Sequence, residues 1–177
     1  MGYTHHFSFE RIKGQSKNDK GKLDLAYQRA ILDCQRIVRQ YQREIGGLQG
    51  YSAHCAIGRY SGIGVNGAAG EDCDDFALRE YLYQNESNQW VKTKQYSYDL
   101  VVTACLAVLK HRLGDAMQVL SDGERSDWTQ GVALARKVTG LKILNPIPHA
   151  SRQSVAKLSN CLMANRSAGA SALGLYA

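Results

Sequence analysis

The segment from Ser97 to Leu113 constrains the fold of this chain more than any other part of the sequence. Residues 100–109 are apolar except for Thr103, and Gly114 follows at a helix-stop position. A helix that is apolar on all sides must be surrounded by other elements. The apolar run is too short to cross a bilayer. We therefore expect a buried helix at the centre of a globular fold, with Ser97 or Asp99 capping its start.

Hydrophobic periodicity and turn signals predict the elements around this helix. In chain order we expect a strand at 3–9, a helix at about 23–45, two strands within 48–70, a strand or short helix at 71–83, strands at 90–94 and 117–120, and helices at 124–139 and 151–164. The first helix has one apolar stripe that runs from Leu23 to Ile45, and Asn18 or Asp19 is its possible start. Gly-rich neighbouring strands favour antiparallel pairing. The sequence thus predicts an α+β fold, a mixed and mainly antiparallel sheet packed by three to four helices.

We place one domain at residues 1–145 and treat 146–177 as a C-terminal extension, helical or flexible, because Pro146 and Pro148 break the chain. The start of the chain has no basic segment followed by an apolar stretch, so we expect no signal peptide, no membrane contact and a cytoplasmic setting.

The net charge of +6 is concentrated at the two ends of the chain. Residues 1–50 hold nine Lys/Arg against five Asp/Glu, residues 51–140 hold nine against eleven, and residues 141–177 hold four against none. The last stretch has one aromatic residue, Tyr176, and its bases are widely spaced. Nucleic-acid binders usually cluster bases on one face. A solvated surface explains the charge at least as well, so nucleic acid is the less favoured partner.

The five cysteines predict no disulfide or metal framework. Their number is odd and no pair has C-x-x-C spacing, which favours reduced thiols over a zinc site or a catalytic Cys. The residues are Cys34, Cys55, Cys73, Cys105 and Cys161.

The junction from Lys92-Thr93 to Tyr98-Asp99 is the first candidate site. A strand that runs into a helix start offers free N–H groups, a positive dipole end and here a Lys and a Thr for a phosphate. Tyr98 can stack on a base. A plain helix cap explains the same residues equally well.

Three other segments carry polar groups suited to a ligand. His5 and His6 are adjacent on a strand and must point to opposite faces, which argues against a paired metal site. Asn66-Gly67 precedes an acidic cluster at 71–75 that can hold Mg²⁺, act in acid–base work or form a solvated turn. Ser121-Asp122-Gly123 is either an ordinary turn or a loop at a sheet end.

Taken together, these pieces resemble a family of small bacteriophage and prophage proteins that begin Met-Gly-Tyr-Thr-His-Tyr. The matching pieces are Met1-Gly2-Tyr3-Thr4-His5, Asn66-Gly67 with Glu71 and Phe76, Lys92-Thr93 with Tyr98-Asp99, Lys110-His111 with Gly114-Asp115, and Ser121-Asp122-Gly123 with Trp128. His6 replaces the usual aromatic residue, and Trp90-Val91 replaces a Phe-Cys-like pair. The resemblance implies an α+β phage protein in the host cytoplasm, and it suggests which polar residues converge.

We therefore expect a protein that binds a small anionic, nucleotide-like ligand and sequesters a host immune signal. The expected ligand-binding residues are His5, Asn66, Glu71, Lys92, Thr93, Tyr98, Asp99, Asp122 and Trp128. Lys92 would pair with a phosphate, and Tyr98 or Trp128 would stack on a base. We expect no catalytic residue, metal or cofactor, and leave open whether copies of the chain pair. The alternatives are a hydrolase of such a signal, with Glu71 or Asp72 as base or metal ligand and His5 as acid, and a DNA- or protein-binding factor.

Overall fold

The computed structural model of the protein describes residues 3–10, 17–44, 62–67, 70–71 and 73–148. Their elements in chain order are β1 (Thr4–Phe9), α1 (Lys17–Glu44), β2 (Ile63–Val65), β3 (Phe76–Leu78), a 3₁₀ turn (Leu82–Gln84), β4 (Asn88–Lys92), α2 (Asp99–Leu113), a second 3₁₀ turn (Gly114–Ala116), β5 (Met117–Ser121) and α3 (Thr129–Thr139). All strand pairs in the described residues are antiparallel. The predicted α+β class is confirmed.

Helix α2 lies at the centre, as its composition predicts. Its side chains are buried on all sides between residues 101 and 109. Helices α1 and α3 pack on it, and β5 contacts it from the sheet. The predicted cap is wrong, however. Tyr98 occupies the N-cap position without a side-chain capping bond, because the Asp99 carboxylate turns away to bind His5 and Thr93.

The main sheet has the strand order β4-β1-β5, and β2 pairs with β3 in a second, two-stranded sheet. On β1 the side chains of His5, Phe7 and Phe9 are buried, whereas His6 is exposed. Side chains alternate along a strand, so the two histidines point to opposite faces, as predicted. We call the side of this sheet that carries His5 the inner face and the side that carries His6 the outer face.

Helix α1 begins at Lys17, close to Asn18 and Asp19, which the sequence marks as possible starts, and before the apolar stripe that begins at Leu23. Residues 18–22 are all exposed, so the first turns contribute nothing to that stripe. Asp19 lies in the first turn, where a carboxylate stabilises the positive end of the helix dipole. Most of the predicted stripe is buried, at Tyr27, Ala30, Cys34, Ile37, Val38 and Tyr41. Leu23 is partly buried, and Ile45 lies outside the described residues.

Helix α3 begins at Thr129, later than the predicted residue 124. Residues 125–128 form turns instead, and the Glu124 N–H donates to Asp127 Oδ2 at 2.8 Å. Gly140 ends the helix at a φ of 72°, a left-handed conformation that glycine adopts without steric cost. The segment 71–83 contains β3 and the first two residues of the first 3₁₀ turn.

Several sequence predictions lie outside the described residues. These are the strand before residue 62, the helix at 151–164, and Cys55 and Cys161. Cys34 and Cys105 are buried free thiols, and Cys73 is a half-buried one. The chain divides into one unit at Met1–Ile147 and another at Pro148–Ala177, of which the second is described only at its first residue. In the described ranges no helix has the length and apolarity to cross a membrane.

Candidate functional site

The His5 side chain lies in a buried polar network on the inner face of the sheet. Its Nε2 is 2.7 Å from Asp99 Oδ1, and its Nδ1 is 3.0 Å from Ser121 Oγ. The Thr93 hydroxyl donates to the same Asp99 oxygen at 2.5 Å. His5 and Thr93 have no exposed surface. We call these four residues the inner network. It contains three of the expected ligand-binding residues, and Ser121 joins them.

The inner network forms because a tight turn brings the end of β4 to the start of α2. Lys94 and Gln95 both have positive φ, at 53° and 57°, which is uncommon for residues with a side chain. The turn is closed by the Tyr96 N–H, which donates to Thr93 O at 3.0 Å. Asp99 then enters the helix with its carboxylate beside His5, near the start of β1.

Two aromatic rings flank His5 on the inner face. The Tyr3 and Trp128 ring centroids lie 5.0 and 5.1 Å from the His5 ring, both edge to face. Trp128 is fully buried. Within the described residues, neither its Nε1 nor the Tyr3 hydroxyl makes a hydrogen bond of normal geometry. Burial, with a smaller effect of the Asp99 charge, raises the pKa of Tyr3 to about 12.

The inner network has the residue types of a hydrolytic triad but not its accessibility. Ser121 Oγ already accepts the Gly123 N–H at 3.0 Å. A carboxylate can only accept hydrogen bonds, so the Nε2–H of His5 donates to Asp99. With no exposed atom, His5 cannot pass a proton to an outside substrate in this structure. The geometry therefore stabilises the junction of β1, β5 and α2, and it gives no support to His5 as a catalytic acid.

Three more expected residues hold the loop between β2 and β3. Both ends of the Asn66 amide are used: Nδ2 donates to Asp75 Oδ1 at 2.8 Å, and Oδ1 accepts the Gly67 N–H at 2.7 Å. Tyr98 is fully buried, and its hydroxyl donates to Lys92 O at 3.0 Å. A ring without exposed surface cannot stack on a base, so the stacking roles expected for Tyr98 and Trp128 do not exist in this structure.

Glu71 anchors this loop to the start of α2. Its Oε2 accepts both the hydroxyl and the N–H of Ser97, at 2.6 and 3.2 Å, and these bonds lower the pKa of the carboxyl. Asp72 lies outside the described residues. Within them, no three His, Cys, Asp or Glu side chains are placed to hold a metal ion. The structure thus uses Glu71 as a loop anchor.

The remaining two expected residues, Lys92 and Asp122, lie on the outer face. Thr4 lies between them in the sheet: it pairs with Lys92, and its N–H donates to Asp122 Oδ2 at 3.1 Å. Trp90 stands two residues before Lys92 on β4 and is 59% exposed. It pairs with His6. We call His6, Trp90, Lys92 and Asp122 the outer set.

The pairing brings the His6 and Trp90 side chains close together. The Phe9 N–H donates to Ser87 O at 2.9 Å, and hydrogen-bonded and non-hydrogen-bonded pairs alternate along an antiparallel ladder. Phe9 and Ser87 therefore form a hydrogen-bonded pair, and three pairs further along the ladder His6 and Trp90 form a non-hydrogen-bonded one. Pairs of this second kind have the shorter Cα–Cα separation. The side chains of these two exposed residues thus start from neighbouring positions on the outer face.

A groove of about 360 Å³ lies between β3 and β4, and Trp90 forms one of its walls. Buried Phe7, Phe76 and Val91 line its apolar part. Its polar lining consists of Asp75, Arg79, Gln84, Asn85, Glu86 and Gln89. Ligand pockets in proteins combine an apolar surface with a few polar groups and typically measure about 300–1,000 Å³. We call this the β3–β4 groove.

Sequence reasoning missed Trp90 and His6 as candidate residues. The signal was present in the period-two alternation of β4, which places Trp90 and Lys92 on one side and Val91 on the other. The long-range register that brings His6 beside Trp90 was not readable from local pattern.

No protein-family model, no curated protein and no solved structure matches this chain. The phage resemblance thus rests on the sequence motifs alone and stays a prediction.

Proposed function

We propose that the protein binds a small anionic, nucleotide-like ligand in the β3–β4 groove. The observation that carries this proposal is Trp90, an indole with 59% of its surface exposed that forms a wall of the groove. Large aromatic rings are normally buried. An exposed ring beside an apolar surface offers a stacking platform, and stacking on such a platform contributes roughly 1–3 kcal/mol per base.

The groove provides polar groups suited to a nucleoside around this platform. Within the described residues, Gln84 Oε1 accepts the Tyr81 N–H and Gln89 Nε2 donates to Glu86 O, both at 3.3 Å. The Nε2 of Gln84 and the Oε1 of Gln89 can then bond a base edge. The exposed Glu86 carboxylate is an acceptor for ribose hydroxyl groups. The groove thus combines apolar lining residues, the Trp90 ring and several polar side chains. This combination fits a flat heterocycle joined to a sugar.

Lys92 is the phosphate partner in this proposal, as the sequence analysis expected. Two residues of strand separate it from Trp90 by roughly 7 Å on the same face. A ligand stacked on Trp90 can therefore extend its phosphate along β4 to the ammonium group. Arg79, at the β3 side of the groove, is a second cation within the same site.

We favour binding over turnover because no described residue of the groove is held by a base and orienting partner as a nucleophile would need. In the phage setting that the resemblance implies, a protein that binds and releases a nucleotide unchanged would act by sequestering a host signal. The hydrolase alternative predicts an altered product instead.

The test is incubation with a panel of mononucleotides, cyclic nucleotides and ADP-ribose, followed by thermal denaturation and recovery of the ligand. We expect a rise in Tm with at least one nucleotide and its release intact. Trp90→Ala should abolish the rise. Leu32→Ala, which removes an exposed apolar side chain from α1, is the matched control and should retain it.

Three outcomes would contradict the proposal. A Tm that no nucleotide changes would remove nucleotide binding altogether. An unchanged response in Trp90→Ala would place the ligand elsewhere. Recovery of a cleaved product would replace binding by hydrolysis.

A further inference from the structure

A second groove, of about 380 Å³, lies between α1 and α3. Its lining residues are Arg36, Arg39, Gln40, Lys137 and Val138. Three of the five carry a positive charge and none carries a negative one. Arg36, Arg39 and Gln40 follow one another at helical spacing, so they share one face of α1. We call this the α1–α3 groove.

The groove joins two stretches of the sequence that contain no acidic residue. Residues 34–43 of α1 include no Asp or Glu, and neither do residues 129–148, which contain α3. These stretches lie almost a hundred residues apart, and the packing of α1 against α3 brings them together. Part of the basic excess of residues 1–50 thus meets Lys137 on one concave surface, where like charges strengthen the local potential.

The acid nearest to the groove in sequence, Asp33, is already neutralised by another residue. Arg112 donates to Asp33 Oδ2 from Nε at 3.1 Å and from a terminal nitrogen at 2.6 Å. Arg36 reaches the other oxygen at 3.3 Å, a long contact for a charged pair. The single negative charge of Asp33 therefore faces the positive charges of Arg112 and Arg36. Arg39 and Lys137 add to the excess of positive charge around the groove.

We propose that the α1–α3 groove binds an oligophosphate group, either a free chain or the phosphate end of a nucleotide. Closely spaced phosphates match closely spaced cations, and Arg binds phosphate oxygens with two parallel N–H bonds. The volume lies within the range of small-molecule pockets. This proposal does not depend on the β3–β4 groove.

A purely structural role for the basic residues predicts a different result. The Arg36 guanidinium donates to Val138 O at 2.8 Å, at the end of α3, where cations stabilise the negative end of the helix dipole. Arg36 is therefore a poor position for the test, since its loss affects α3 directly. Arg39 separates the two roles, because an anion site needs its charge.

The experiment is a titration with sodium tripolyphosphate at low ionic strength, followed by calorimetry and Tm. We expect Arg39→Gln to weaken binding by about tenfold or more, the usual effect of losing one charge-assisted bond to phosphate, with little change in the Tm of the free protein. Lys137→Gln should weaken binding as well. Arg29→Gln removes an exposed cation from the same helix, roughly 15 Å from Arg39, and should bind like the wild type. Trp90→Ala should also bind tripolyphosphate normally.

The outcomes are clear in either direction. No heat and no Tm shift with tripolyphosphate would overturn the proposal. Equal weakening by Arg29→Gln would show a diffuse charge effect without a site. A single-stranded oligonucleotide is the second probe: if it binds while tripolyphosphate does not, the surface recognises an extended backbone and the proposed oligophosphate site is wrong.

Discussion

A histidine lies beside a tryptophan on each face of the main sheet, and the two pairs have opposite environments. On the inner face, His5 has two hydrogen-bond partners and packs against the fully buried Trp128. On the outer face, the exposed His6 stands beside Trp90. The same two residue types thus serve packing on one side and remain available to a ligand on the other.

This comparison explains why residue type alone did not identify the site. Of the expected ligand-binding residues, every buried one except Trp128 is held by hydrogen bonds within the protein, and only Lys92 and Asp122 lie on the outer face. Polar groups that are buried need partners, so a cluster of them in sequence indicates internal bonding as readily as a ligand. The availability of a side chain depends on the face it occupies.

The largest expected effect is on the inner face, at Asp99. Asp99→Ala removes the acceptor of two buried donors, His5 and Thr93, and should lower the free energy of unfolding by about 3–5 kcal/mol. Urea denaturation measures this. Asp99→Asn keeps an acceptor oxygen and should cost much less. Asp122→Ala, on the outer face, is the matched control, and an equal loss there would contradict the distinction between the faces.

The two adjacent histidines provide the sharpest matched pair. His5→Gln leaves part of the inner network unbonded and should cost about 1–3 kcal/mol. His6→Gln changes an exposed residue and should remain within about 0.5 kcal/mol of the wild type. Chemical denaturation of both variants checks the difference. Similar losses in the two variants would mean that the outer face is also packed against something.

Gly123 tests how tightly the inner face is packed near Tyr3. A Cβ added at Gly123 would lie 2.2 Å from the Tyr3 hydroxyl, so Gly123→Ala should destabilise by roughly 1–2 kcal/mol through displacement of that ring. Gly21→Ala on α1 meets nothing within 4 Å and should stabilise by roughly 0.5–1 kcal/mol. Thermal unfolding distinguishes the two signs, and a neutral Gly123→Ala would show that the ring has room.

A smaller effect is expected at alkaline pH. Burial raises the pKa of Tyr3 to about 12 in the folded protein, from an ordinary value of 10.0. The unfolded chain then binds fewer protons above pH 10, so the free energy of unfolding falls as pH rises from about 10 to 12. Tyr3→Phe should show a shallower fall over that interval. A decrease of the same steepness in the variant would assign the pH dependence to other groups.

The smallest expected effect on stability is at Trp90. Because the ring is exposed, Trp90→Ala should alter the free energy of unfolding by no more than about 0.5 kcal/mol while it removes nucleotide binding. Urea denaturation and ligand titration on the same sample check both statements. A large loss of stability would show that Trp90 belongs to the core of the fold.

Local sequence pattern predicted the parts of the fold that depend on composition and periodicity. It identified α2 as central, the buried stripe of α1 and the opposite orientation of His5 and His6. It did not predict the turn at Lys94 and Gln95, since neither residue favours positive φ. It also gave no indication that Thr4 pairs with Lys92, because register between distant strands is set by the whole core.

The most direct test of the division between the faces uses the two tryptophans as separate reporters. Trp90→Phe leaves Trp128 as the only indole, and Trp128→Phe leaves Trp90. Nucleotide is added to each variant while tryptophan fluorescence is recorded. We predict strong quenching when Trp90 is the reporter and none when Trp128 is. Quenching of Trp128 in the Trp90→Phe variant would place the ligand at the inner network and contradict the account.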